Sequence, residues 1–265
     1  MRIWYQSLFE DGRLPTYFEG LRERGKALAR PGVEVEFHGV PAKAYGGRTP
    51  ADVVVYPYLA SLHAQFILDN ALRAQAEGYD AFAVGSVQDP ALEEARSLVD
   101  IPVVGYGESA MHFACLLGSR FAIMVFGERF VEMMDLRVRR LGLERRALPT
   151  ALLDASFGDV GQALADPKPL LERFTAKARQ LIAQGAQALI PGQLYLSEAI
   201  ARAGLSRIDE VPIVDGLAAT VKMAEVMADL KRFGISVARR GYLHARPPDD
   251  MVAQARALHR RQKKD

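Results

Sequence analysis

Two carboxylates in this chain directly follow short apolar runs: Glu108, in Gly105-Tyr-Gly-Glu-Ser109, and Asp215, at the end of Val211-Pro-Ile-Val-Asp215. Two facing carboxylates can act as acid and base when burial raises one of them. Each can equally cap or salt-bridge the helix that follows it. His112 stands four residues after Glu108, so one helical face could carry both, and imidazole is the usual proton carrier near neutrality. Ser86 closes Ala81-Phe-Ala-Val-Gly-Ser86, and Gln193 closes Ala188-Leu-Ile-Pro-Gly-Gln193. Their hydroxyl and amide, with the backbone N–H groups of Val87 and Leu194, suit a carboxylate or an enolate oxygen at helix N-termini. A serine there can also serve simply as a helix cap. Gln6 and Ser7 end the first apolar run and Tyr195 follows Gln193, so these three are read as ligand contacts. The catalytic candidates are therefore Ser86, Glu108, Asp215 and His112; the substrate-binding candidates are Gln6, Ser7, Val87, Gln193, Leu194 and Tyr195.

Other chemistries lack their residues. His38, His244 and His259 show no metal-site pairing, His63 in the apolar helical pattern Tyr58–Phe66 reads as a hydrogen-bonded core or surface histidine, and there is no HExxH, GxSxG or phosphate loop. Gly105-Tyr-Gly107 falls short of a dinucleotide fingerprint because the third glycine is absent. Neither a metal nor a cofactor is expected. The single cysteine, Cys115, excludes an internal disulfide and any thiolate-rich cluster. It falls in the helical pattern His112-Phe-Ala-Cys-Leu-Leu117, away from both strand ends, and reads as a small buried residue.

The elements that must position these groups alternate. Short strand patterns at Arg2–Tyr5, Val33–Phe37, Ala81–Val84, Pro102–Gly105, Phe121–Phe126, Ala188–Ile190 and Pro212–Val214 are separated by helical ones. The helical patterns run Thr16–Arg30, Ala60–Glu77, Pro90–Val99, Ser109–Leu117, Arg129–Leu141, Lys168–Ala183, Leu196–Ala203 and Leu217–Phe233. Gly46 to Val55 is a loop or a short strand. Strands this apolar are expected where helices cover both faces of a parallel sheet. The fold class is α/β.

An internal echo sharpens this. Ala76-Glu-Gly-Tyr-Asp-Ala-Phe-Ala-Val-Gly-Ser86 lies over Ala183-Gln-Gly-Ala-Gln-Ala-Leu-Ile-Pro-Gly-Gln193 at a spacing of 107, and Ile101-Pro-Val-Val-Gly105 over Val211-Pro-Ile-Val-Asp215 at 110. Two similar halves of one chain tend to face each other, and ligands of open α/β sheets sit beyond the strands' carboxyl ends. Ser86 and Gln193 are thus expected to approach a common cleft from opposite sides.

These segments, with Tyr79-Asp-Ala-Phe-Ala-Val-Gly-Ser-Val-Gln-Asp-Pro-Ala-Leu92, Ile101-Pro-Val-Val-Gly-Tyr-Gly-Glu-Ser-Ala110, Leu117-Gly-Ser-Arg-Phe121 and the opening Ile3-Trp-Tyr-Gln-Ser7, resemble the aspartate/glutamate/hydantoin racemase superfamily, in its hydantoin-racemase-like branch, over nearly the whole chain. The resemblance implies two pseudo-symmetric parallel-sheet α/β domains with an interdomain cleft, here residues 1–104 plus 215–265 and residues 105–214. In cysteine-using members one thiolate takes the proton α to a carbonyl and an opposite thiol returns one to the other face. Those positions align with Ser86 and Gln193, neither of which is a thiol. A serine hydroxyl is a poor base without an activating partner, and an amide neither takes nor gives a proton usefully. The expected activity is therefore non-thiol acid/base chemistry on a small carboxylate or cyclic amide, drawn from Glu108, Asp215 or His112. A lyase, a ring-opening hydrolase and a non-catalytic binder fit the same cleft.

Composition sets the remaining bounds. In 265 residues, 49% are hydrophobic and 25% charged, so a disordered chain is excluded. Lys+Arg (34) against Asp+Glu (32) leaves +2, too balanced for a partner as acidic as nucleic acid. The one lopsided stretch, Arg256 to Lys264, reads as a solvated helix end. No apolar run is long enough to span a membrane or to act as a signal peptide, so a cytoplasmic chain is expected. By the same resemblance it forms a homo-oligomer.

Overall fold

The computed structural model describes residues 1–261. Its first half runs β1 (Arg2–Glu10), α1 (Pro15–Leu28), β2 (Glu34–Val40), α2 (Pro50–Val53), α3 (Pro57–Ala76), β3 (Ala81–Gly85), α4 (Leu92–Leu98) and β4 (Val103–Gly105). The second runs α5 (Tyr106–Leu117), β5 (Phe121–Val125), α6 (Arg129–Arg140), β6 (Ala151–Leu152), α7 (Phe157–Gln162), α8 (Lys168–Ala183), β7 (Ala188–Pro191), α9 (Leu194–Arg202), β8 (Arg207–Ile208) and β9 (Val211–Pro212). α10 (Gly216–Arg232) and α11 (Asp249–Arg261) close the chain.

Two parallel sheets share one strand order. The first is β2-β1-β3-β4; the second is β6-β5-β7, extended by a parallel bridge from Leu189 to Ile213. Thus β1 corresponds to β5, β3 to β7, and β4 to the chain at Ile213. Every residue of β3, β5 and β7 is buried, as expected of strands covered on both faces. α10 follows the second sheet in sequence but packs back onto β3, β4 and α5.

Several boundaries differ from expectation for local reasons. The ambiguous stretch Gly46 to Val55 contains a helix, because Thr49 and Asp52 form a reciprocal capping box at the start of α2. α5 begins at Tyr106 rather than Ser109, which carries Glu108 into its first turn. The strand expected at Pro212–Val214 is reduced: Val211–Pro212 pairs antiparallel with β8, and only Ile213 bridges the parallel sheet. Pro212 has no N–H to give to a ladder. The basic run reaches Arg261 within α11, and its residues 262–264 lie outside the described ones.

No helix among the described residues is long and apolar enough to cross a membrane. Among them, no group of three or more His, Cys, Asp or Glu side chains could hold a metal ion.

Candidate functional site

At the carboxyl ends of both sheets lies a cavity of about 70 Å³, comparable with a few water-sized volumes. The first sheet contributes Ser7 and Phe9 from β1 and the segment Gly85–Gln88 after β3. From the second come Phe126 after β5 and Gln193–Tyr195, where β7 turns into α9. Tyr17 of α1, Phe130 of α6, Pro50 and Ala51 of α2 with Val54 just beyond it, and Phe157 of α7 complete the walls. Ser86 and Gln193 therefore stand against one cavity from opposite halves.

The polar groups there are neutral. Ser86 is almost buried, and its hydroxyl has no hydrogen-bond partner among the described residues. The Ser7 hydroxyl accepts from the Phe9 N–H at 3.1 Å, which leaves its own proton free to donate. Gln193 precedes α9 as its N-cap but makes no side-chain cap, so the N–H groups of Leu194 and Tyr195 have no protein acceptor among the described residues. This is a helix N-terminus open to an anion. Around it the aromatic rings pack edge to face: Phe9 to Tyr17 at 5.0 Å, Phe9 to Tyr195 at 5.7 Å, with Phe157 tilted over Tyr195 at 4.9 Å. Burial, reinforced by the nearby Glu198 charge, raises the Tyr17 phenol well above its ordinary value, while the Ser7 hydroxyl opposes the shift. Burial also raises Tyr195. Both phenols keep their protons at neutral pH.

Four candidates lie elsewhere. Gln6 points to the opposite face of β1 from Ser7, as strand alternation requires. It is fully buried, donating to the carbonyls of Ser7 and Gly39, both at 2.9 Å, and accepting from Trp4 Nε1 at 3.0 Å and Asn70 Nδ2 at 2.7 Å. Glu108, displaced by the early start of α5, pairs with Arg96 at 3.0 Å and borders a separate groove with Met223 and His244. His112 is exposed, with Nδ1 2.8 Å from the Glu108 carbonyl. Asp215 caps α10 by accepting from the N–H groups of Leu217 at 3.0 Å and Ala218 at 3.2 Å, and its other oxygen pairs with Arg24. No facing carboxylate pair exists at the cavity; both carboxylates hold helices and cations. His63 is likewise structural, bridging the carbonyls of Leu59 and Ala44. Cys115, half-buried in α5 with its thiol pushed up by burial, does not reach the cavity.

Gln193 needs a finer correction. It borders the cavity, but its amide is committed: Nε2 donates to the Phe126 carbonyl at 2.7 Å and Oε1 accepts from the Phe126 N–H at 3.3 Å. It clips the end of β5 to α9 rather than offering a ligand contact. Gln193→Glu keeps the size, removes the donor and sets a carboxylate oxygen against a carbonyl. We expect about 2–3 kcal/mol lost in urea denaturation; an unchanged midpoint would mean that the clip contributes nothing.

The aromatic walls and the two short helices went unread in the sequence, although a signal existed. Thr49-Pro-Ala-Asp-Val53 and Ser156-Phe-Gly-Asp-Val160 stand 107 residues apart, the same offset as the echo. Both form capping boxes, at α2 after β2 and at α7 after β6, and their second residues, Pro50 and Phe157, both face the cavity. The repetition therefore extends to the segments that close the site.

Comparison with known proteins agrees with this architecture. The chain is 29% identical over 187 residues to a hydantoin racemase of Pseudomonas sp. (strain NS671), covering 68% of this chain and 71% of that protein. Among solved structures it is similar to an allantoin racemase from Klebsiella pneumoniae, with TM-score 0.74 and 23% identity over 94% of each chain. An allantoin racemase from Pseudomonas fluorescens aligns with TM-score 0.73 and 24% identity, covering 93% of this chain and 97% of that one. The family model for Asp/Glu/hydantoin racemase matches residues 16–224, most of the chain and every sheet strand except β1, and the protein belongs to that family.

Proposed function

We propose that the cavity between the two sheets binds a small carboxylate or cyclic amide, such as a hydantoin-like ring, and holds its anionic oxygen on Ser86, Ser7 and the N-terminus of α9. One observation carries this reading. Among the described residues the lining offers hydroxyls, phenols, amides and free N–H groups but contains no carboxylate, imidazole, amine, guanidinium or thiol. Racemisation needs a base to take the proton from carbon and an acid on the other face. A serine without an activating partner is a poor base, and two phenols held protonated by burial can give a proton but not accept one. The site is thus built to stabilise charge on a bound oxygen, without a residue suited to start inversion. The same phenols favour a second reading, a lyase: a carbanion formed when a carboxylate departs as CO2 and leaves its bonding pair on carbon needs only a proton donor.

The division into residues 1–104 plus 215–265 and residues 105–214 is part of this proposal. It is supported by α10 packing on β3 and β4 as well as on α5 at the seam, and by Arg239, which donates to the Val99 carbonyl at 2.6 Å beyond it.

The test is incubation with chiral hydantoins, amino acids and small dicarboxylates in D2O, followed by mass spectrometry and thermal shift. We expect stabilisation by a hydantoin or a carboxylate, weakened about three- to tenfold in affinity by Ser86→Ala, with no deuterium entering recovered ligand. Deuterium found only in a cleaved product selects the lyase. Deuterium washed into unreacted ligand would overturn both readings.

A further inference from the structure

The Ser86 wall is held from behind by a group that never touches the cavity. Three residues beyond Ser86, Asp89 adopts a left-handed backbone (φ +48°), and Ala91 follows with φ +56°. Two non-glycine residues in this region within three positions persist only where their surroundings over-determine them. At Asp89 those surroundings centre on its own buried carboxylate. Asp89 Oδ1 accepts from the Gly107 N–H at 2.8 Å and Oδ2 from the Glu108 N–H at 2.7 Å, which caps the first turn of α5. Oδ2 also accepts from Arg137 Nε at 3.2 Å and Nη2 at 2.9 Å. The contact leaves no slack: a Cβ on Gly107 would run into the Val87 carbonyl and sit 3.0 Å from Asp89 Oδ2.

Arg137 makes the arrangement more than a helix cap. It is itself buried, and it stands two turns along α6 from Phe130, which forms part of the opposite wall. A neutral serine or asparagine would cap α5 as well, whereas burying an ion pair carries a desolvation cost that a loop tether does not require. One carboxylate thus ties the segment bearing Ser86 and Val87, which follows β3 of the first sheet, to the helix bearing Phe130, which follows β5 of the second.

We propose that Asp89 is a positioning residue: paired with Arg137, it sets where Ser86 stands relative to Phe130, and so the width of the cavity. Its functional meaning rests on the cavity being the ligand site, but its test needs no ligand. A reporter thiol is placed by Ser86→Cys in a full-length Cys115→Ala chain, and its alkylation by iodoacetamide is timed under native conditions. Adding Asp89→Asn, which sets an amide N–H against a ring of donors, is expected to raise the rate about tenfold through local opening. Arg137→Met should do the same. Arg137→Lys, which keeps the charge but not the fork, should fall between them and the parent, and it gives the answer if Asp89→Asn fails to fold. In the chain that retains Cys115 and Ser86, Asp89→Asn should leave alkylation of Cys115 within about twofold of the parent, which separates local positioning from general loosening. An unchanged rate at position 86, or an equal rise at both thiols, overturns the proposal. Loss of hydantoin-induced thermal stabilisation in Asp89→Asn would join it to the ligand reading; persistence of the alkylation effect without any ligand response would sink that reading alone.

Discussion

Replacing Arg24 by methionine is expected to cost about 3–5 kcal/mol of folding stability near neutral pH and clearly less in mild acid. Arg24 lies on α1 where that helix meets α9 and α10. One arm of its guanidinium pairs with Glu198, whose side chain is fully buried, and the other with Asp215. Glu198 already has one oxygen, Oε1, without a hydrogen-bond partner among the described residues. Removing the cation leaves a carboxylate with nothing to compensate its burial, the costliest way to break a buried pair. The pH dependence follows from the same geometry. Burial raises the Glu198 carboxyl, and Arg24 is the main group pulling it back. An acid whose folded pKa lies above its unfolded value favours folding while it is protonated, and that contribution is lost as pH rises through the folded value. Without Arg24 the elevation grows, so the variant should weaken from the ordinary glutamate range upward and recover on acidification. Urea denaturation of the wild type and Arg24→Met at about pH 5 and about pH 8 reads this directly. The double variant Arg24→Met, Glu198→Gln should regain most of the loss at the higher pH, because the two sites are in contact and their effects do not add. Equal losses at both pH values would mean that the charge on Glu198 is not what Arg24 supports.

The contrast between this cluster and the sequence reading locates what a sequence can carry. The βα alternation, the echo at a spacing of 107 and the convergence of residues 86 and 193 on one cavity were legible, because each depends on local pattern and on the rule that parallel strands point their carboxyl ends the same way. Ser7, Val87, Leu194 and Tyr195 face the cavity for that reason. The carboxylates turned from the cavity because each found a cation on another helix: Arg24 of α1, far along the chain, for Asp215, and Arg96 of the preceding α4 for Glu108. A helix start only three residues earlier than expected also moved Glu108 off the loop and into a turn. Gln6 turns away from the cavity through a single step of strand alternation, and Gln193 lines it with its amide taken by a backbone partner, Phe126, that no pattern announces. The capping boxes at Thr49 and Ser156 are different; both halves were present in the sequence and were missed because they are short.

If the two halves are physical copies, equivalent glycines should be intolerant for the same reason. Gly85 ends β3 beside β1, and Gly192 follows β7 beside β5, at corresponding places in sheets of the same strand order. A Cβ on Gly85 would lie 2.9 Å from the Gln6 carbonyl oxygen and would collide with the Tyr5 ring. On Gly192 it would lie 3.0 Å from the Met124 carbonyl oxygen and 2.5 Å from Val125 Cγ1. In each case one obstacle is the backbone of the neighbouring strand, which cannot turn aside as a side chain can. Tyr5 and Val125 are fully buried, which limits their freedom to give way. We expect Gly85→Ala and Gly192→Ala each to lose about 3 kcal/mol, the upper part of the range for forced overpacking. The other matched glycines supply the control. Gly78 and Gly185 both have positive φ, at +76° and +97°, but a Cβ on Gly78 meets nothing within 4 Å and one on Gly185 meets only the end of the flexible Arg120 side chain, at 3.3 Å. There alanine should cost only about 1–2 kcal/mol, the penalty of a left-handed backbone. Four urea denaturation curves test the whole pattern. Similar losses within each matched pair, with the strand-end pair the more damaging, are the expected result. A tolerant Gly192 beside an intolerant Gly85 would mean that the second half kept the strand order without the tight strand end that leads into residue 193 at the cavity wall.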